Sequence, residues 1–138
     1  MGLLESGQNF LWVVRPGMLG SDDDGDALSE GFLEKTKNQG LVVPWCTQLS
    51  VLSHPSVGGF FTHGGWNSTM ESLSLGVPML VFPQGIDQYT NRMLVVNQWK
   101  IGLGLESCRN DGVIERGEIA RAVKFLVGSK AGEEMRRK

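Results

Sequence analysis

Trp45-Cys46-Thr47-Gln48, His54-Pro55, Val57-Gly58-Gly59-Phe60, His63-Gly64-Gly65-Trp66-Asn67-Ser68, Glu71, Gly76-Val77-Pro78, Pro83 and Asp87-Gln88 follow one another between positions 45 and 88. This stretch decides the fold. Gly58 to Thr62 is a short run with strand character. It breaks at Gly64-Gly65, and Asn67 or Ser68 can then cap a helix that runs to Leu75 and is ended by Gly76-Val77-Pro78. Met79 to Phe82 supplies the next strand. A strand that feeds a helix and returns to another strand is the repeating unit of a parallel α/β sheet.

The same alternation continues outward. Upstream, Phe10-Leu11-Trp12-Val13-Val14 is an unbroken apolar run closed by Arg15-Pro16-Gly17, the pattern of a strand buried on both faces. Gly20 to Asp26 reads as a solvated acidic loop, and Glu30 to Lys37 as a short helix. Leu41 to Val43 is a second strand. Gln48 to Ser53 suits a helical turn ended by His54-Pro55, because the residue before a proline avoids the helical region. Downstream, Asp87 to Trp99 carries an apolar face at helical spacing, Ile101 to Leu105 is a strand, and Arg116 to Val127 is a helix. The residues before Lys138 begin another helix. The expected fold class is α/β: a Rossmann-like parallel sheet with helices on both faces.

Composition narrows the function. A chain of 138 residues with 41% hydrophobic content suits one globular domain. The net charge of −2 excludes a nucleic-acid-binding surface of the usual kind, and only Arg136-Arg137-Lys138 is a basic run. Cys46 and Cys108 are too few and too widely spaced for a metal motif, and no secretory signal precedes them. A reducing, cytoplasmic setting is expected. No apolar run approaches the ~18 residues of a membrane span. Met1-Gly2 to Ser6 and Asn67-Ser68-Thr69 match acylation and glycosylation patterns that carry little weight without supporting context.

The chemistry concentrates where the strand at Gly58 to Thr62 meets the following helix. A helix N-terminus presents unpaired N–H groups and roughly half a positive charge, so it attracts an anion. Phosphate is the natural ligand. In open parallel sheets, ligands lie beyond the C-terminal ends of the strands, where His63 to Ser68 falls. His63, Asn67 and Ser68 can donate hydrogen bonds to it. On the residues alone, a structural histidine and a simple cap explain these positions equally well. Glu71 has a competing role as the end of a Ser68-x-x-Glu71 capping box. Trp45 in isolation is more readily a core residue than a ligand platform. Asp22-Asp23-Asp24 lacks the context of a metal site and fails the spacing of a calcium loop, so no metal ligands are assigned.

Taken together, the residues from Trp45 to Gln88 resemble the signature box of plant family 1 glycosyltransferases of secondary metabolism, which move a sugar from a UDP-sugar onto a small molecule. That box runs close to Trp-Ala-Pro-Gln, then His-Cys-Gly-Trp-Asn-Ser, then Asp or Glu followed by Gln. Cys46-Thr47 and Gly64 depart mildly from it. The segments from Gly2 to Gly7 and Phe10 to Arg15 resemble the same enzymes, so the likeness covers nearly the whole chain. It implies that Trp45 stacks the uracil, Cys46 backbone groups read the base edge, and Gln48 and Glu71 hold the ribose. His63, Asn67 and Ser68 would take the diphosphate, and Trp66, Asp87 and Gln88 would face the sugar. Gln88 and Trp66 favour UDP-glucose as co-substrate, with UDP-xylose and other hexoses left open. No further cofactor is implied.

The resemblance also implies a two-domain GT-B fold of which positions 1–138 are a partial donor-binding domain, the C-terminal half lacking its first strand. The acceptor-binding half, with the catalytic base, is expected to be absent, so no catalytic residue is assigned. In a 3-2-1-4-5-6 strand order the missing strand is central, leaving the strand at Phe10 to Val14 with an unpaired inner edge that closes on Gly58 to Thr62 or recruits another chain. Two other readings stay in view. One is a noncatalytic nucleotide- or sugar-binding module or truncated product. The other, a dinucleotide-dependent oxidoreductase, lacks a Gly-x-Gly-x-x-Gly after a strand.

Overall fold

The structure is a computed structural model that describes residues 1–14, 30–105 and 113–138. Arg15-Pro16-Gly17, the acidic loop from Gly20 to Asp26, and Cys108 lie outside the described residues. Helix α1 (Gly2–Glu5) leads into strand β1 (Phe10–Val13), followed by α2 (Glu30–Thr36), β2 (Gly40–Val43) and α3 (Gln48–Leu52). Then come β3 (Phe60–Thr62), α4 (Trp66–Ser74), β4 (Met79–Val81) and α5 (Ile86–Met93), a π-helical turn (Leu94–Gln98), β5 (Gly102–Gly104), α6 (Arg116–Gly128) and α7 (Lys130–Arg136).

Every strand pair is parallel, as alternation with helices requires. β1 pairs with β2 in the register Leu11↔Leu41, while β3, β4 and β5 form a separate sheet with β4 in the middle. Within each sheet the strand order agrees with the expected one. Among the described residues β1 and β3 do not pair with each other.

β4 explains why the three-stranded sheet is the firm part. Successive side chains of a strand point to opposite faces, and all three of its residues are at most 1% exposed. Met79 and Val81 pack with Val95 and Ile101 on one face; Leu80 packs with Leu105 and Leu126 on the other. Helices therefore cover both sides. Burying each such side chain contributes about 1.5–3 kcal/mol. Gly2 packs against Ile119 of α6, leaving no room there for a Cβ, and Gln39 Nε2 donates to Leu4 O (3.1 Å) and Gln8 O (2.8 Å), binding α1 to the start of β2.

Three expectations need correction. β1 is not buried on both faces: Leu11 is 42% exposed, and its register partner Leu41 is 58% exposed. Those two lie side by side on one face, while Trp12 meets Phe32 of α2 edge-on at 5.7 Å. The helix after the Gly-Gly turn starts at Trp66 with Gly65 as its N-cap residue, so neither Asn67 nor Ser68 is the cap. Finally, the helix expected from Asp87 to Trp99 changes at Leu94 into a π turn. The wider turn, closed by Trp99 N–H to Leu94 O and Ile101 N–H to Val95 O, delivers Val95 into the core at 0% exposure. Lys100 then takes φ +55° to send the chain into β5.

Candidate functional site

Because the strands in each sheet are parallel, the segments that follow them share one end of that sheet. His63 to Gly65 follow β3, Phe82 to Gly85 follow β4, and Pro44 to Thr47 follow β2. At the end of β3 the chain has little freedom. Gly64 adopts φ +84°, which disfavours side chains, and a Cβ there would fall 2.7 Å from Val81 Cγ1. The position that departs from the resembled box is thus one where a side chain would be strained and would press on Val81. Gly65 is equally confined, since a Cβ would fall 2.6 Å from His63 Nε2. The imidazole therefore lies against the opening of α4.

His63, Gly65, Trp66, Asn67 and Ser68 line a shallow cleft of about 290 Å³. At this end Thr69 N–H donates to Gly65 O (2.9 Å), and the N–H groups of a helix's first turn have no acceptor within their own helix. The cleft therefore joins a helix N-terminus to three side chains that can donate. It can hold an anion. A larger hollow of about 390 Å³, lined by Gly58, Leu126 and Arg136 among others, lies near the start of β3, the end of a parallel sheet where ligands are not usually found.

Beside the cleft, α3 meets α4 through one side chain. Gln48 Nε2 donates to Ser68 Oγ (3.0 Å) and to Glu71 Oε2 (2.7 Å). Glu71 consequently does not fold back onto its own helix as a capping glutamate; it turns toward the residues that follow β2. Among the described residues no hydrogen bond engages its other carboxylate oxygen, which is suited to accept from a hydroxyl. Trp45 is 70% exposed, which rules out the core reading of this ring. Cys46 is a half-buried free thiol.

Asp87 and Gln88 occupy the first turn of α5, outside the cleft lining. Asp87 is exposed. Gln88 has a capping role that the sequence reading missed: its Oε1 accepts from Gln84 N–H (2.7 Å) and Gly85 N–H (3.0 Å). Only its amide N–H₂ remains to meet a ligand, so the pair offers one acceptor and one donor rather than a donor/acceptor mixture. Two further residues were missed. Thr62 Oγ1 accepts from Gly64 N–H (3.2 Å), and Asn91 Nδ2 donates to Gly64 O (2.8 Å). The available signal was a polar residue four positions after Asp87, on the helix face that must pack inward. His54 has a structural role, accepting at Nδ1 from Ser56 N–H (3.2 Å). Among the described residues no group of three His, Cys, Asp or Glu could hold a metal ion.

The family model described as "UDP-glucoronosyl and UDP-glucosyl transferase" matches residues 1–128. The chain belongs to this UDP-glycosyltransferase family. It is 47% identical over 135 residues to UDP-glycosyltransferase 86A1 of Arabidopsis thaliana, covering 98% of this chain and 27% of that protein. It is 43% identical over 137 residues to the 7-deoxyloganetin glucosyltransferase of Catharanthus roseus, with 99% and 27% covered. The crystal structure of Os79 from O. sativa, in complex with UDP and deoxynivalenol-3-glucoside, superposes with a TM-score of 0.88 at 36% identity, over 99% of this chain and 30% of that one. The UDP-glycosyltransferase chain thus spans less than a third of the length of the relatives it matches, and it carries the GT-B fold of their corresponding part.

Proposed function

We propose that this chain provides the UDP-glucose-binding portion of an inverting glucosyltransferase acting on hydroxyl groups of small-molecule acceptors. One observation carries the reading: Gln48 gathers Ser68 and Glu71 beside the opening of α4, so a carboxylate and an anion-binding helix end stand side by side. A ribose diphosphate needs that pairing. In this arrangement Trp45 and the Cys46 backbone take the uracil, Gln48 and Glu71 the ribose, and His63, Asn67 and Ser68 the diphosphate. Trp66, Asp87 and Gln88 face the glucose. No metal or additional cofactor takes part, and the setting is the cytosol. Among the described residues no helix is long and apolar enough to cross a membrane.

In the transfer, the acceptor oxygen attacks the anomeric carbon as the bond from that carbon to the diphosphate breaks. UDP leaves with the electron pair, its growing charge met by the α4 N-terminus and the donors around it. The base that takes the acceptor proton belongs to an acceptor-binding part, such as the remainder of the longer relatives. A second reading, a noncatalytic UDP-sugar-binding module, is favoured by the chemistry of the histidines. The chain has two; His54 is spent on a turn and His63 stands at the anion end.

Titration calorimetry tests the proposal. The 138-residue chain is expected to bind UDP-glucose more tightly than UDP-glucuronate and UDP-galactose, with EDTA making no difference. Equal or absent binding of all three would overturn it. Release of glucose or glucosyl transfer by this chain alone would remove the second reading.

A further inference from the structure

Gly64 is the pivot between β3 and α4, and side chains take both of its backbone polar groups. Its N–H donates to Thr62 Oγ1, and its carbonyl oxygen accepts from Asn91 Nδ2. Thr62 and Asn91 are each 7% exposed, so water competes poorly for either bond. Glycine has no Cβ to choose its peptide orientation. The two side chains make the choice. The Gly64–Gly65 peptide is planar and trans, so its carbonyl oxygen and the Gly65 N–H point in opposite directions. Holding the oxygen toward Asn91 therefore aims the Gly65 N–H away from α5, from a residue that itself lines the cleft. Gly65 also carries the His63 ring against it and starts α4.

We infer that Asn91 is a positioning residue of the UDP-binding site, setting the Gly64–Gly65 peptide and through it the anion-binding end of α4. The inference rests on the donor-site reading above. Asn91 lies four residues after Asp87 on α5, so one rigid helical turn links the carboxylate facing the sugar to the turn facing the diphosphate. Asn91 touches no ligand; it acts through Gly64. Its effect is therefore confined to the diphosphate, and the uridine end is left alone.

The test compares Asn91→Asp with the parent chain. Aspartate keeps the shape of asparagine but replaces the donating N–H₂ with an acceptor facing another acceptor. Hydrogen exchange of the ligand-free protein is expected to speed up at the amides of residues 64–68 and to stay unchanged in β4. UDP affinity is expected to fall about tenfold or more, the cost of leaving a buried carbonyl without its donor, while uridine affinity holds. Thr62→Val, which deletes the other clamp without changing shape, is expected to move both quantities in the same direction and serves if Asn91→Asp fails to fold. Unchanged exchange at residues 64–68 in both variants overturns the inference. Equal losses of UDP and uridine affinity also overturn it, by showing a general effect on the fold. If the parent chain binds no UDP, the donor-site reading falls, and the exchange data still decide whether Asn91 holds the turn.

Discussion

Glu71 shows how a residue acquires its role from its neighbours. Its sequence position fits a capping box, yet the Gln48 amide claims Oε2 at 2.7 Å and draws the carboxylate toward the segment after β2. Adjacent ribose hydroxyls are the natural donors for such a carboxylate, since it can accept from both at once. Glu71→Ala is expected to weaken UDP binding by about 1–3 kcal/mol. The same variant should lose most of the preference for UDP over 2′-deoxy-UDP, measured by calorimetry as a cycle of protein and ligand deletions. An intact preference would remove Glu71 from the ribose. That Gln48, Ser68 and Glu71 come together, with His63 and Ser68 lining one cleft, was legible in the sequence because the ordered spacing of the box names them together. Asn91 and Thr62 were not, because their work is to bond one backbone group, and a single Asn or Thr carries no pattern that marks such a target.

At the scale of elements, α5 separates stability from recognition. Gln88 Oε1 caps the helix through Gln84 and Gly85, leaving its N–H₂ outward. Gln88→Glu retains the accepting oxygen and adds negative charge at a helix N-terminus, so thermal stability is expected to hold or rise by a few tenths of a kcal/mol. The outward donor is lost, however, and UDP-glucose affinity should fall toward that of UDP. A fall in melting temperature with sugar preference intact would reverse the assignment. In β5 the constraint is steric: a Cβ at Gly102 would overlap the Met79 carbonyl oxygen and fall 2.7 Å from Val95 Cγ1. Gly102→Ala is accordingly expected to destabilise the chain by about 1–3 kcal/mol in urea unfolding. Strands and helices were readable from hydrophobic period and glycine turns. The π turn after Met93 was not, because Leu94 to Gln98 keeps a helical composition and only packing Val95 under β4 requires the extra residue.

At the scale of the molecule, the described residues form two parallel sheets, with β1 at an edge of one and β3 at an edge of the other. The order within each sheet was legible, but the state of the β1 edge was not, since one sequence allows either closure onto β3 or pairing with another chain. The structure shows no closure. Phe10 N–H and Val14 N–H donate to Gln39 O and Val43 O at 2.9 Å, so by strand alternation the N–H groups of Leu11 and Val13 face the open side. Beside them lie the exposed side chains of Leu11 and Leu41. An unpaired edge next to an apolar face is a template for another strand. The isolated chain is therefore expected to self-associate, its weight-average mass in sedimentation rising with concentration. Leu11→Pro removes an edge N–H that β2 does not use, and proline is tolerated on an edge strand. That variant should remain monomeric at concentrations where the parent associates, with an unchanged far-ultraviolet circular dichroism spectrum. If the parent is monomeric throughout, or Leu11→Pro associates equally, the β1 edge is not the contact.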